Sequence, residues 1–135
     1  MASTKEILDH HLKCFLGLDL DGIIADYAPD AILFTPFGTL KGRDSIYALF
    51  QTLFTEFAKP GFSAAMEAQF VEGEYAYILW NAESADKTYE TATDTFVIRG
   101  GKIVAQSFAA KITPRKEPRA RGKDRQSARS SLTEP

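Results

Sequence analysis

The sequence is poor in cysteine and contains no long apolar run. Cys14 is the only cysteine among 135 residues, which excludes an internal disulfide and a cysteine-based metal cluster. No apolar stretch approaches the ~20 residues that a membrane-spanning helix needs. The polar start MASTKEILDHHLKC also lacks the apolar segment of a signal peptide. We therefore expect a cytoplasmic protein whose cysteine packs as a small apolar helix residue.

Cofactor motifs are absent as well. The chain has no glycine-rich phosphate loop, no CxxC pair, and neither HExxH nor GxSxG. We expect no metal and no nucleotide cofactor.

Charge is unevenly distributed, although the net charge is only −2. Residues 1–110 carry a net charge of −7, and residues 111–135 a net charge of +5. Segment 113–135 holds one large aliphatic residue and no aromatic one, so it is predicted to be a disordered tail beside a domain spanning 1–112. A basic tail can bind nucleic acid. Because no aromatic residues interleave with its arginines, we favour a solvated tail without a nucleic-acid partner.

Two helices are predicted near the start of the chain. The sequence STKE, residues 3–6, forms a capping box, and apolar residues at helical spacing follow it as far as Gly17. A short second helix is expected from about Asp19, with Tyr27 on its apolar face and Pro29 at its end.

A third helix and a sheet make up the rest of the predicted domain. Asp44 is expected to cap the helix, whose apolar stripe comprises Ile46, Leu49, Phe50, Leu53, Phe54 and Phe57. A strand is expected over 31–35, and residues 62–112 read as four further strands separated by tight turns. Helices followed by a meander of strands indicate an α+β fold, with the helices packed on one face of an antiparallel sheet.

Asp94 interrupts an otherwise apolar strand face. Side chains alternate between the faces of a strand, so Asp94 shares a face with Ala92, Phe96 and Ile98, while threonines occupy the other face. Gln106 is likewise the one polar residue among apolar neighbours on the next strand, beside Phe108. Buried polar groups need partners. Asp94 either pairs with a side chain from the helices or lines a cavity, and the two readings are compatible.

The sequence resembles the nuclear transport factor 2-like superfamily, in particular its SnoaL-like members. The resemblance rests on LDLDGIIADYAPDAILFTPFGTLKGRDSIYALF and, later, TDTFVIRGGKIV, and it covers residues 3–112. It implies a cone-shaped, strongly curved sheet wrapped around three helices, with an apolar pocket between them. It also implies that the outer sheet face often forms a homodimer interface. The superfamily includes isomerases, cyclases, dehydratases and non-catalytic binders, so the fold does not fix the chemistry.

The ketosteroid isomerase branch gives a sharper comparison, because its catalytic residues can be aligned. That resemblance places Asp94 at the oxyanion-hole aspartate, His11 at the catalytic tyrosine and Thr35 at the catalytic base. A threonine hydroxyl is not a general base near neutral pH without a proton acceptor. Ketosteroid isomerisation is therefore disfavoured.

His11 has two possible roles. It shares a helical stripe with apolar residues and is either a satisfied core histidine or the partner of Asp94 across a pocket, whereas His10 is expected to face solvent. An ionised Asp94 would orient the imidazole and favour its protonated form, which would provide a general acid or base.

We expect a pocket for a small, hydrophobic, carbonyl-bearing molecule, with cofactor-free acid–base chemistry carried by His11 and Asp94. The alternative is a non-catalytic ligand-binding or dimerisation module. The predicted ligand-binding residues are Phe15, Tyr27, Thr35, Phe37, Leu49, Phe50, Phe54, Leu79, Asn81, Glu83, Phe96, Gln106 and Phe108. Trp80 is expected in the core or an interface.

Overall fold

The computed structural model describes residues 2–115. Within this range, three helices and six strands follow one another. They are α1 (Thr4–Leu16), α2 (Leu20–Ile24), β1 (Tyr27–Thr35), β2 (Gly38–Lys41), α3 (Gly42–Phe57), β3 (Ser63–Glu72), β4 (Tyr75–Glu83), β5 (Lys87–Arg99) and β6 (Lys102–Pro114).

The six strands form one curved, unclosed sheet in the order β2-β1-β6-β5-β4-β3. All neighbouring strands are antiparallel except β1 and β6, which are parallel. Bulges interrupt the register of several pairs, and bulges bend strands and increase their twist. The predicted α+β fold is confirmed, but the sheet is mixed rather than purely antiparallel because the chain crosses over between β1 and the last strand.

Helix α1 begins where the capping box predicts. The Ser3 hydroxyl accepts a hydrogen bond from the Glu6 backbone N–H, and the Glu6 side chain accepts one from the Ser3 N–H. The helix buries Ile7, Leu8, His11 and Cys14 along one stripe, which is the spacing of a single helix face. Cys14 is thus a buried free thiol, as expected.

Two predicted element boundaries are wrong. Strand β1 starts at Tyr27, so Tyr27 and Pro29 lie in a strand rather than at the end of α2. Helix α3 starts at Gly42 after Lys41, and Asp44 lies in its first turn instead of capping it. A carboxylate in the first turn still favours the helix through the helix dipole. Gly42 has φ +82°, a conformation suited to glycine that lets β2 turn directly into α3.

The last strand extends past the predicted domain end. Strand β6 runs to Pro114, and the Arg115 backbone N–H donates to the Asp86 carbonyl at 2.9 Å. The first residues of the predicted tail, 113–115, therefore belong to the sheet region. The remainder of that predicted tail lies outside the described residues.

The helices cover the inner face of the sheet. Strand β4 alternates between buried and partly exposed residues, with Ala76, Ile78, Trp80 and Ala82 buried. In the second half of β5 the buried residues are Ala92, Asp94, Phe96 and Ile98, and the threonines that alternate with them face outward. The Asp94 side of β5 is thus the inner face, as the strand phase predicts.

Candidate functional site

A cavity of about 880 Å³ lies between the helices and the inner face of the sheet. Its wall is mostly apolar and draws on α1, the β1–β2 hairpin, α3 and the sheet. Among the sequence-predicted site residues, those that line it are His11, Phe15, Thr35, Phe37, Leu49, Phe50, Asp94, Phe96, Gln106 and Phe108. At its edge, Leu16, Phe37 and Met66 are exposed apolar side chains.

Three predicted ligand-binding residues on β4 lie on the wrong face. Leu79, Asn81 and Glu83 alternate with the buried residues and are absent from the cavity wall. Asn81 donates to Glu67 Oε2 at 2.7 Å, and Glu83 lies 3.6 Å from Arg115. The prediction failed because both faces of β4 carry large apolar residues, so hydrophobicity does not distinguish them.

Tyr27 and Phe54 are buried behind the cavity wall instead of forming it. Phe54 packs between Phe15 and Phe50, with ring centroids 5.9 and 5.6 Å away. Tyr27 has no exposed surface, and its hydroxyl donates to Gln106 Oε1. Both residues support the wall without reaching the space inside it.

Asp94 is the end point of a buried chain of hydrogen-bond donors. Gln106 Nε2 donates to Asp94 Oδ1 at 2.8 Å, and Trp80 Nε1 donates to Asp94 Oδ2 at 2.8 Å. Tyr27 in turn donates to Gln106. These partners come from the sheet and from Tyr27 at its start, not from the helices. The register explains the contact, because Phe96 is paired with Gln106 and Asp94 therefore lies diagonally across from it.

Burial raises the pKa of the Asp94 carboxyl, although the hydrogen bonds from Trp80 and Gln106 and the nearby His11 oppose that rise. Burial also raises the pKa of Tyr27 well above its ordinary value, with Asp94 and Asp26 adding to the effect. Desolvation disfavours the charged form of each acid. The inner wall therefore favours a protonated Asp94 more than water does.

His11 faces a carboxylate other than the predicted one. It is buried, and its ring lies edge-on to the rings of Tyr27, Phe50 and Phe96 at centroid distances of 5.5, 6.1 and 5.4 Å. Within residues 2–115 no hydrogen bond joins it to Asp94. Its Nδ1 lies 3.6 Å from Asp26 Oδ2. The structure therefore places His11 against Asp26 instead of forming the predicted His11–Asp94 pair. Asp26 was not among the residues predicted from the sequence.

The Thr35 hydroxyl forms its hydrogen bonds within its own turn. Its hydroxyl donates to the Gly38 carbonyl at 2.9 Å and accepts from the Phe37 backbone N–H at 3.1 Å. Both bonds hold the β1–β2 hairpin closed. Among residues 2–115, no carboxylate or imidazole accepts a hydrogen bond from this hydroxyl.

A second polar group at the cavity wall was not predicted. Glu56 accepts hydrogen bonds from Tyr89 at 3.1 and 3.2 Å and from Ser84, and Lys87 Nζ lies 3.5 Å away. Burial, then Glu56, raises the pKa of Tyr89. Glu56 is thus saturated by protein donors and anchors the β4–β5 turn to α3. The available signal was its spacing, because Glu56 lies three residues after Leu53 and seven after Leu49, on the helix face that lines the cavity.

No helix within residues 2–115 has the length and apolar content needed to cross a membrane. In the same range, no three His, Cys, Asp or Glu side chains are arranged to hold a metal ion.

The SnoaL-like domain family matches residues 8–106 of the chain. The chain belongs to this family. The matched residues of this SnoaL-like protein run from α1 to Gln106, and so include both His11 and Asp94. The resemblance drawn from sequence motifs is confirmed. A search of the curated proteins finds no match.

Solved structures similar to this SnoaL-like protein share its fold at low sequence identity. The epoxide hydrolase/cyclase-like enzyme SalBIII, of pyran ring formation in the polyether salinomycin, is 16% identical, with a TM-score of 0.70 over 82% of this chain and 95% of that chain. An NTF2-like protein of unknown function from Burkholderia pseudomallei is 21% identical, with a TM-score of 0.68 over 82% and 92%. A candidate ketosteroid isomerase from Kribbella flavida is 15% identical, with a TM-score of 0.67 over 89% and 85%. These likenesses establish the fold and leave the chemistry open.

Proposed function

We propose that the protein binds a small, mainly apolar molecule in the cavity, with a carbonyl oxygen of that molecule beside Asp94 and His11. The observation that carries the proposal is the buried donor chain Tyr27–Gln106–Asp94–Trp80, which ends at the wall of a mostly apolar space. Ligand sites commonly combine an apolar cavity with a few convergent polar groups.

Asp94 can contribute to binding in either protonation state. Each of its oxygens accepts one hydrogen bond from the protein, and a carboxylate oxygen can accept a second. When protonated, Asp94 can donate a hydrogen bond to a carbonyl oxygen or to an oxyanion. Because burial raises its pKa, the donor form persists to higher pH than it would in water.

His11 provides the second titratable group for acid–base chemistry next to the ligand carbonyl. Its Nδ1 faces Asp26, so the opposite ring nitrogen, Nε2, is the one left for the cavity. The reaction class is proton transfer without a cofactor: isomerisation, dehydration, cyclisation or hydrolysis. The fold shared with a cyclase-like enzyme and a candidate isomerase supports this class, while Thr35 at the base position disfavours ketosteroid isomerisation.

The binding proposal is tested with a cavity-filling variant. Leu49 lines the cavity from α3, and Tyr47 lies on the exposed side of the same helix. We expect Leu49→Trp to abolish the increase in melting temperature that carbonyl compounds produce in a ligand panel, and Tyr47→Trp to retain it. Equal responses of the two variants, or no response of the wild type to any compound, would contradict a ligand site in this cavity.

A non-catalytic binding module is the second candidate function. It is favoured by the hydrogen bonds that engage the Thr35 hydroxyl within its turn and by the two donors that occupy Asp94. A pH–rate profile on the compounds that stabilise the protein separates the two functions. Turnover that falls in Asp94→Asn and His11→Gln supports catalysis, whereas stabilisation without turnover supports a binder.

We also propose that two copies associate through the outer face of the sheet. Phe70 is 65% exposed and stacks on Tyr77, and Tyr75 is 56% exposed. The partly exposed Leu79 adds to this apolar surface, which is typical of an interface. We expect Leu79→Glu to produce a monomer in sedimentation equilibrium and Gln51→Glu, on the exposed side of α3, to leave a dimer. A wild-type monomer at all concentrations would refute the association.

A further inference from the structure

Two consecutive histidines of α1 face the same buried carboxylate. His10 Nδ1 lies 2.8 and 2.9 Å from the two oxygens of Asp26, and His11 Nδ1 lies 3.6 Å from Asp26 Oδ2. Neighbouring helix residues point about 100° apart, so one carboxylate can face both rings only from a position between them. Asp26 occupies that position immediately before β1, while His10 is half exposed and His11 is buried.

The backbone holds Asp26 in this position. Its carbonyl accepts a hydrogen bond from the Ile103 backbone N–H at 2.8 Å, and Lys102 Nζ donates to the neighbouring Ala25 carbonyl at 2.8 Å. Residue 26 is thus tied to β6. The Asp26 side chain is 6% exposed, and its location is fixed by the sheet rather than by a mobile loop.

The geometry leaves one buried ring nitrogen unsatisfied. Among the described residues, His11 Nδ1 has no hydrogen-bond partner, and Asp26 Oδ2 is the acceptor oxygen that faces it. The separation of 3.6 Å exceeds the usual N–H···O distance of about 2.9–3.0 Å. A carboxylate oxygen has two acceptor sites, so Asp26 Oδ2 can accept from His11 while it accepts from His10. Hydrogen bonds of catalytic groups are often long without ligand and tighten in the complex.

We propose that Asp26 is the positioning residue of His11 and that His10 shares it. This inference rests on the proposed function, because it describes how the acid–base group of that cavity is held. Asp26 keeps the proton of neutral His11 on Nδ1 and thereby presents the lone pair of Nε2 to the ligand. Orientation of a catalytic imidazole by the group bound to its other nitrogen is a general feature of histidine chemistry.

The shared carboxylate lies between the buried histidine of the cavity and the histidine that is in contact with solvent. One negative charge faces two imidazoles, because Asp26 Oδ2 lies 2.9 Å from His10 Nδ1 and 3.6 Å from His11 Nδ1. The other groups facing His10 are the Cys14 thiol, 3.5 Å from Nε2, and Asp19 beyond it. Burial and Asp19 raise the pKa of Cys14, so that group stays neutral. From the sheet, Asp94 and the Tyr27 ring face His11.

The test uses nuclear magnetic resonance of the two imidazoles in the 15N-labelled full chain without ligand. His10 and His11 are the only histidines, so their long-range 1H–15N correlations are assigned with His10→Gln. In the wild type we expect neutral His11 to carry its proton on Nδ1. In Asp26→Ala we expect the proton of His11 to move to Nε2. In the control Asp9→Ala, which removes an exposed carboxylate beside His10, we expect no change.

The His10→Gln variant keeps the inference testable if Asp26→Ala does not fold. We expect His11 to retain its proton on Nδ1 in this variant. Neutral wild-type His11 with its proton on Nε2 would overturn the inference.

Activity separates this inference from the proposed function. If a carbonyl compound is turned over, Asp26→Ala should lower kcat roughly 10²-fold with little change in KM, because general acid–base catalysis contributes at least about that factor. Unchanged kcat would overturn the inference and leave the cavity function standing. Absence of ligand binding, together with the Nδ1 tautomer, would overturn the proposed function and leave the role of Asp26 standing.

Discussion

The substitution Gln106→Leu removes the central link of the buried donor chain while keeping a side chain of similar size. Two bonds disappear: the one from Gln106 to Asp94 Oδ1 and the one that Gln106 accepts from Tyr27. Tyr27 has no exposed surface, so water does not replace the partner of its hydroxyl, and Asp94 is only 6% exposed. The change therefore leaves a buried hydroxyl and a buried carboxyl oxygen each short of one bond.

The expected loss of unfolding free energy is about 4 kcal/mol at neutral pH. A hydrogen bond to a charged group contributes about 1.5–3 kcal/mol, and an unsatisfied buried hydroxyl costs about 1–3 kcal/mol. When Asp94 is protonated, its lost bond is a neutral one worth about 1 kcal/mol. The loss should therefore shrink by about 1 kcal/mol at acidic pH. The loss is a large fraction of the ~5–15 kcal/mol that stabilises a typical domain.

Urea unfolding followed by the fluorescence of Trp80, the only tryptophan, measures this loss. Making the same substitution in a Tyr27→Phe background completes a double-mutant cycle. Because that background already lacks the hydroxyl, the loss of unfolding free energy caused by Gln106→Leu should be about 1–3 kcal/mol smaller than in the wild type. Ser107→Ala, on the opposite face of β6, should change stability by less than about 0.5 kcal/mol. A loss below about 1 kcal/mol for Gln106→Leu, or one that is the same in both backgrounds, would refute the donor chain.

Three further predictions test other contacts. Because burial raises the pKa of Asp94, the folded chain keeps a proton above about pH 4 that the unfolded chain releases. Wild-type stability should therefore fall relative to Asp94→Asn as pH rises through that window; parallel curves from urea unfolding across pH would contradict it. Burial likewise raises the pKa of Tyr27 and Tyr89, so absorbance near 295 nm should show these two of the five tyrosines ionising last and stability falling above about pH 10. Phe variants at both sites should remove those late-ionising groups, and an unchanged titration would count against their burial. A Cβ at Gly22 would lie 2.3 Å from Asp19 Oδ2 and 2.8 Å from Cys14 Sγ. Displacing this N-cap carboxylate should make Gly22→Ala destabilising by about 1 kcal/mol, whereas helix propensity alone predicts a gain of similar size; thermal denaturation decides the sign.

Local patterns predicted the elements whose signals lie within a few residues. The capping box of α1 depends on Ser3 and Glu6, three positions apart, and the apolar stripe of α3 recurs with helical period. The β5–β6 turn contains Gly100 and Gly101, whose φ values of +64° and +76° suit the tight hairpin that the sequence predicts. In each case the residues that determine the element lie within one short stretch of the chain.

Prediction failed where two stretches compete or where both faces of an element are apolar. Strand β1 starts at Tyr27 because pairing with β6 outweighs the local helical pattern and the proline at 29. On β4, Leu79 and Tyr77 make the outer face as hydrophobic as the inner one, so the sequence left the phase of that strand open. The position of Trp80 beside Asp94 follows from that phase together with the β4–β5 register.

By itself the sequence determined that Asp94 and Gln106 point to the same side of the sheet as the core, because the two-residue period of a strand is a local property of the chain. Only the tertiary structure decided what those side chains meet. Trp80 reaches Asp94 through strand pairing, and Asp26 comes between His10 and His11 because residue 26 is fastened to β6. Such contacts depend on strand order, register and the packing of α1 against the sheet, which arise from the sum of many weak interactions along the whole chain.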